Sequence, residues 1–146
     1  MALTGLPKKQ TPTALHQLMF VIQQMSNELL LAETGVGLSS VLIMSGLSQA
    51  VPSSQRAVAA KLRQTEANIS RQLHVMKRQG LVTVRQNRKD KRQRDVLLTA
   101  KGARQYAKAS SLLDKQQKDL LRLIATAEAR AFGQTVDSLL KGLLIS

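Results

Sequence analysis

The stretch Ser53–Gly102, SSQRAVAAKLRQTEANISRQLHVMKRQGLVTVRQNRKDKRQRDVLLTAKG, decides how this chain is read. Pro52 and the Ser53/Ser54 pair open a short helix, Gln55–Leu62, that buries Val58 and Leu62. Arg63-Gln64 make a tight turn, Thr65 caps a second helix, Glu66–Gln79, and Gly80 stops it. Within that helix Ile69, Leu73 and Met76 fall at i, i+4 and i+7, so they share one inward face. The opposite face presents Ala67, Ser70, Arg71, His74 and Arg78, with Asn68 on the flank. Val82/Val84 and Val96/Leu98 then alternate as two strands around Arg85–Arg94, a run too polar for anything but a solvent loop. Two short helices, a tight turn and a polar, cationic outer face fit a helix-turn-helix followed by a hairpin.

The same stretch holds most of the excess charge. From Arg56 to Arg104, fourteen basic residues stand against Glu66, Asp90 and Asp95, a net +11 of the chain's +13. Charge concentrated on an element shaped to enter a groove points to duplex DNA. The runner-up is a small basic RNA- or ribosome-associated protein, which a pI near 11.0 permits. Against it, Phe20, Tyr106 and Phe132 are the only aromatics, and single-strand binders stack bases on exposed rings. A monomeric winged-helix module that docks to another protein is a third reading.

With 146 residues and 43% apolar content, the chain can bury a core as one domain or as one protomer of an intertwined dimer. The absence of cysteine excludes disulfides, cysteine-based zinc sites and a thiol switch, and is compatible with a cytosolic setting. No signal peptide is expected, since Gln17, Gln23, Gln24, Asn27 and Glu28 interrupt the apolar patch after Lys8-Lys9. The uncharged run Gly35–Gln55 is read as buried soluble structure rather than a membrane span, because its serines and Pro52 disfavour lipid burial. No catalytic grouping emerges, so no enzyme is expected. The nine acids are scattered, and Gly35-Val36-Gly37 follows a helix and lacks the rest of a dinucleotide loop. His16 beside an apolar stripe suits structural duty better than metal binding, and no metal or other cofactor is called for.

Outward from the charged segment lie two apolar-rich arms. Thr11 as cap and Pro12 at the first helical position open a helix striped with Leu15, Leu18, Met19, Ile22, Met25, Leu29 and Leu30, ending near Thr34–Gly37. Leu38–Leu47 reads as a helix apolar on nearly all sides, placed in the middle of a core. On the other side Thr99 caps a long helix to about Ile124, with Tyr106, Ala109, Leu112, Leu113, Leu120, Leu123 and Ile124 inward. Thr126 caps a last helix whose stripe is Phe132, Val136, Leu139, Leu140, Leu143 and Leu144. The two terminal helices would expose too much apolar surface on a monomer, and pairing across a two-fold axis would bury it.

These features in this order resemble the MarR family of bacterial winged-helix transcription regulators over nearly the whole chain. The resemblance rests on the helix-turn-helix above, the wing with Asp90-Lys91-Arg92, and the family pattern D-x-R followed by apolar residues and T-x-x-G, falling on Asp90, Arg92, Thr99 and Gly102. It implies a mainly α fold with a small β-hairpin wing, a single MarR-like domain over residues 1–146. Residues 38–104 would be the winged helix-turn-helix lobe, and 11–34 and 105–146 the helices of an intertwined, triangular homodimer. It also implies a cytoplasmic, nucleoid-associated bacterial protein, a repressor on a pseudo-palindromic operator, with no membrane partner. Many relatives bind a small aromatic or phenolic acid; the sequence names no effector here, and the cysteine-based peroxide sensors are excluded.

Carried over by position, Glu66–Gln79 would lie in the major groove and the wing in the adjacent minor groove. Ala67, Asn68, Ser70, Arg71, His74 and Arg78 are the candidate contacts of the helix. Arg71 suits guanine and Asn68 adenine, at roughly 1–3 kcal/mol of discrimination per bidentate pair. A phosphate contact is the alternative for both, and His74 is as well placed for a phosphate as for no role. Arg88, Lys89, Lys91, Arg92 and Arg94 are the wing's candidate contacts, by shape of the minor groove or by plain attraction. Asp90 would brace a wing arginine rather than touch DNA. The chain departs from the family in having Arg63 where many relatives have glycine, so a positive φ there would be strained or the turn would differ. Glu66-Ala67 are also less basic than in some relatives, which shifts specificity toward Arg71 and the wing.

Overall fold

The structure, a computed structural model, describes residues 11–145, with side chains described for 14–144. In chain order the elements are α1 (Thr11–Thr34), α2 (Leu38–Met44), β1 (Ser53–Ser54), α3 (Gln55–Lys61), α4 (Glu66–Arg78), β2 (Val82–Gln86), β3 (Arg94–Leu98), α5 (Ala100–Leu121) and α6 (Thr126–Ile145). This is a mainly helical winged helix-turn-helix with a small antiparallel sheet. The cap expected from Thr11 and the reading of Pro12 lie outside the described side chains. The contacts group the chain into two compact units, Met1–Ser111 and Leu112–Ser146, with the boundary inside α5.

The first unit is built on one aliphatic core. Ile69, Leu73 and Met76 from α4 are at most 2% exposed, and α1 adds Leu30, α2 adds Ile43 and Met44, and α5 adds Ala109. Each large side chain so buried contributes about 1.5–3 kcal/mol relative to its exposed state. Leu81, Val82 and Val96 continue the core into the root of the wing. The hairpin register pairs Val84 with Val96 and Val82 with Leu98. A third strand was not legible in the sequence: Ser53–Ser54 pairs with Val96 and Asp95, giving the order β1-β3-β2. Two residues show no alternation, so only the arrival of β3 beside them makes a strand.

Both helices of the central motif start as the sequence requires. Ser54 Oγ accepts the Ala57 N–H at 3.0 Å, and Thr65 Oγ1 accepts the Asn68 N–H at 3.1 Å. Each satisfies a backbone donor that has no partner within its own helix. Both helices also end alike. After α4, Leu81 N–H reaches Met76 O and Gly80 N–H reaches Lys77 O, with Gly80 at φ 75°. After α3, Gln64 N–H reaches Ala59 O and Arg63 N–H reaches Ala60 O, with Arg63 at φ 53°. These are two Schellman ends, one closed by glycine and one by arginine. Arg63 therefore adopts the left-handed conformation that glycine adopts without strain.

Several element limits differ from expectation. Helix α2 stops at Met44, not Leu47. Ser45 Oγ donates to Leu42 O at 2.7 Å, and Gly46 and Leu47 bond three residues back, which tightens and ends the helix. It is buried through Val41, Ile43 and Met44, whereas Leu42 is 46% exposed, so α2 has an outer side. Helix α3 ends at Lys61 rather than Leu62, which follows it as the C-cap and is half-buried. Strands β2 and β3 run on to Gln86 and back from Arg94, shortening the expected loop to 87–93. Helix α5 ends at Leu121, where Leu123 and Ile124 turn with three-residue bonds and lie exposed rather than inward. Thr126 is the first residue of α6, and the Ala125 carbonyl accepts its first helical bond, from Ala129.

The apolar stripes of the terminal helices are open. On α1, Leu15, Leu18, Met19 and Met25 are 40–52% exposed. In the second unit Phe132, Leu139, Leu140, Leu143 and Leu144 are all exposed. Among the described residues no single helix is long and apolar enough to cross a membrane; α1 and α2 together reach that composition only as a pair bent by 83°.

Candidate nucleic-acid interface

The outer face of α4 follows from its inner one. With Ile69, Leu73 and Met76 inside, the helical period turns Ala67, Ser70, Arg71, His74 and Arg78 outward, and all five are exposed. Asn68, expected on the flank, is half-buried. Its Nδ2 donates to Gln64 Oε1 at 2.7 Å, and Gln72 Nε2 donates to the same oxygen at 2.9 Å. Ser39, Ser40, Gln64, Asn68, Arg71, Gln72 and Val75 line an open groove of about 500 Å³ beside this cluster. Arg56 and the Glu66 carboxylate approach to 3.7 Å between α3 and α4, an exposed pair of little energetic weight.

The loop between β2 and β3 is held from within, and its hub is a residue the sequence reading passed over. Asn87 Nδ2 donates to both oxygens of Asp95, at 3.2 and 3.0 Å. Asn87 Oδ1 accepts the backbone N–H groups of Lys89 and Asp90, at 2.8 and 2.9 Å. Asp90 Oδ1 accepts the Arg92 backbone N–H at 3.0 Å, so its carboxylate shapes the main chain around that arginine. Gln86 Nε2 donates to Lys91 O at 2.7 Å. The short polar side chains thus bond the loop's own backbone, as such residues do in turns. Arg88, Lys89, Lys91, Arg92 and Arg94 are all exposed on this frame. Asn87 lies just past the end of β2, two residues beyond Arg85, the residue that Asp95 faces across the hairpin, so its bond to Asp95 is diagonal and becomes visible only once the register is known.

The wing is fastened to the helices by Thr99, Lys101 and Gly102. Thr99 Oγ1 donates to Gly80 O at 2.6 Å and accepts the Gly102 N–H at 2.9 Å, while Thr99 N–H reaches Leu81 O. Gly102 is buried where a methyl group would strike the Leu81 carbonyl oxygen and stand 2.8 Å from Leu98 Cδ1. Lys101 Nζ caps α4 at Gln79 O, 2.8 Å. The T-x-x-G pattern is therefore a clasp between the end of α4, the start of β2 and the first turn of α5. Among the described residues no three His, Asp or Glu side chains come together as a metal site.

Comparison with known proteins agrees with this architecture. Residues 34–93 match the model of the MarR family. No curated protein matches the chain. Among solved structures, a MarR-family transcriptional regulator from Methanosarcina mazei Go1 is 18% identical with a TM-score of 0.79, over 95% of this chain and 100% of that one. A MarR-family regulator from Rhodococcus sp. RHA1 is 20% identical with a TM-score of 0.77, over 93% and 96%. The S. aureus MepR–DNA complex is 17% identical with a TM-score of 0.75, over 90% and 96%.

Proposed function

We propose that this chain, a winged-helix protein whose residues 34–93 are of the MarR family and whose fold is that of MarR-type transcription regulators, binds duplex DNA sequence-specifically as a homodimer and acts as a repressor. One observation carries the reading: the polar, cationic face of α4 and the five wing cations are exposed on elements packed around one core, with a braced loop under the charges. The MepR structure of the same fold is a complex with DNA. None of the three aromatic residues lies on α4 or the wing, which leaves the RNA alternative without a stacking platform.

In this reading residues 38–104 form the DNA-binding lobe, and the helices within 11–34 and 105–146 pair with those of a second copy. Helix α4 enters the major groove and the wing the minor groove, with half-site centres about 10 bp apart. A small aromatic or phenolic acid as effector enters only through the family resemblance.

The test is fluorescence anisotropy with a duplex of the gene's own upstream region, against scrambled duplex and single-stranded RNA, across a salt series. Duplex binding that prefers its sequence and persists near physiological salt supports a specific regulator. Arg92→Ala weakens binding to every sequence and lowers the salt slope by about one. Arg71→Ala additionally relaxes preference at one position per half-site; unchanged preference makes Arg71 a phosphate clamp. Binding that ignores sequence and vanishes with salt, or that favours RNA, overturns the reading.

A further inference from the structure

Gln64 stands where the two helices of the motif are joined. Its N–H closes the end of α3 on Ala59 O at 2.9 Å, and the next residue, Thr65, caps α4. The side chain turns along α4 instead of into solvent, and its Oε1 receives Asn68 Nδ2 at 2.7 Å and Gln72 Nε2 at 2.9 Å. Positions 64, 68 and 72 are four apart, so the three amides form one half-buried ridge. The anchor of that ridge is fixed at both ends, by the backbone bond behind it and the two amides in front.

A carboxamide carries two N–H donors and one oxygen with two lone pairs. Asn68 gives one N–H to Gln64, and its other N–H and its Oδ1 have no partner among the described residues. That remaining donor and acceptor are the pair that reads N6 and N7 of adenine in the major groove. An unrestrained asparagine amide has a broad, roughly two-fold torsion, so it presents its nitrogen or its oxygen in a given direction almost indifferently. Opposite Gln64 Oε1 that indifference ends. With Gln64 Oε1 also receiving Gln72 Nε2, turning the Asn68 amide over by itself would set two carbonyl oxygens against each other and break the 2.7 Å bond.

We infer that Gln64 is a positioning residue for base recognition: it holds the Asn68 amide in the orientation that reads adenine, so a side chain that does not itself touch DNA sets the preference at that base. The inference rests on the proposed duplex-binding function and deepens it. Gln72 is drawn into the same arrangement through its Nε2, while its own Oε1 is buried and accepts nothing, so in the structure the Asn68 amide is received by Gln64 Oε1 and not by Gln72.

The experiment measures relative affinities for duplexes carrying each of the four bases at every half-site position, together with the salt slope and thermal unfolding of each variant. Wild type prefers adenine at one position, and Asn68→Ala removes that preference, about tenfold. Gln64→Met, of similar size but without an acceptor, removes the preference at the same position, leaving the other positions and the salt slope unchanged. Gln64→Asn, one methylene shorter, does the same if the methionine variant does not fold. Gln64→Glu keeps two acceptor oxygens and therefore keeps the preference, while its added negative charge weakens binding to all sequences alike. Preference retained in Gln64→Met or Gln64→Asn overturns the inference, as does a loss spread evenly over all positions. Preferences untouched by Asn68→Ala also overturn it while leaving the regulator intact. A wild-type protein with no preference at any position instead removes the function on which the inference depends.

Discussion

Arg63 shows how a residue can be read correctly as a problem before its solution is visible. Its position between two helices demands a left-handed residue, and the chain meets that demand at φ 53° with a side chain that bears a Cβ. The conformation costs an L-residue roughly 1–2 kcal/mol, and the two bonds that close α3 hold it in place. Arg63→Gly should raise stability by up to about 1 kcal/mol, part of the relief being offset by the extra freedom of glycine in the unfolded chain. Arg63→Val, branched at Cβ, should lower it by at least as much. Thermal unfolding of both at one protein concentration checks the pair; equal melting temperatures would mean the turn relaxes away from the left-handed region. The outer face of α4 was legible to the residue because it is the complement of three buried positions. The roles of Gln64 and Asn87 were not, because each depends on which polar atoms are brought within 3 Å.

At the scale of elements, caps and turns were legible and lengths were less so. Ser54, Thr65 and Gly80 act where their chemistry predicts, since a cap depends on neighbours two or three residues away. The end of α2 and the strand β1 depend instead on competing local bonds and on a partner distant in sequence. The clasp at Thr99 and Gly102 gives physical content to a sequence pattern. Gly102→Ala should destabilise the wing root by about 2 kcal/mol or more, because the obstacle includes a backbone carbonyl that cannot rotate away. Urea unfolding with hydrogen exchange in β2 and β3 checks this. Stability unchanged, with normal protection there, would show that α5 can shift from Leu81 at no cost.

At the scale of the molecule, the exposed stripes on α1 and α6 argue for a second copy. Side chains such as Met25, Leu140 and Leu144, 48%, 51% and 76% exposed, would otherwise lie in water on contiguous helical faces. Size-exclusion chromatography with light scattering should give twice the 16.0 kDa of one chain, with a melting temperature that rises with protein concentration. Leu140→Glu together with Leu144→Glu should shift the mass toward one chain at micromolar concentration, and a wild-type mass of 16.0 kDa would refute the dimer. Hydrophobic period, capping residues and the concentration of charge are local properties, so the sequence by itself determined the helices, the hairpin, the basic segment and the outer face of α4. Hydrogen bonds between distant side chains, the third strand and the collision behind Gly102 exist only where separate segments meet. Tertiary structure therefore decided where the third strand forms, how Asn87 reaches Asp95 across the hairpin and why Gly102 admits no side chain, because each depends on distances in space that spacing along the chain does not specify.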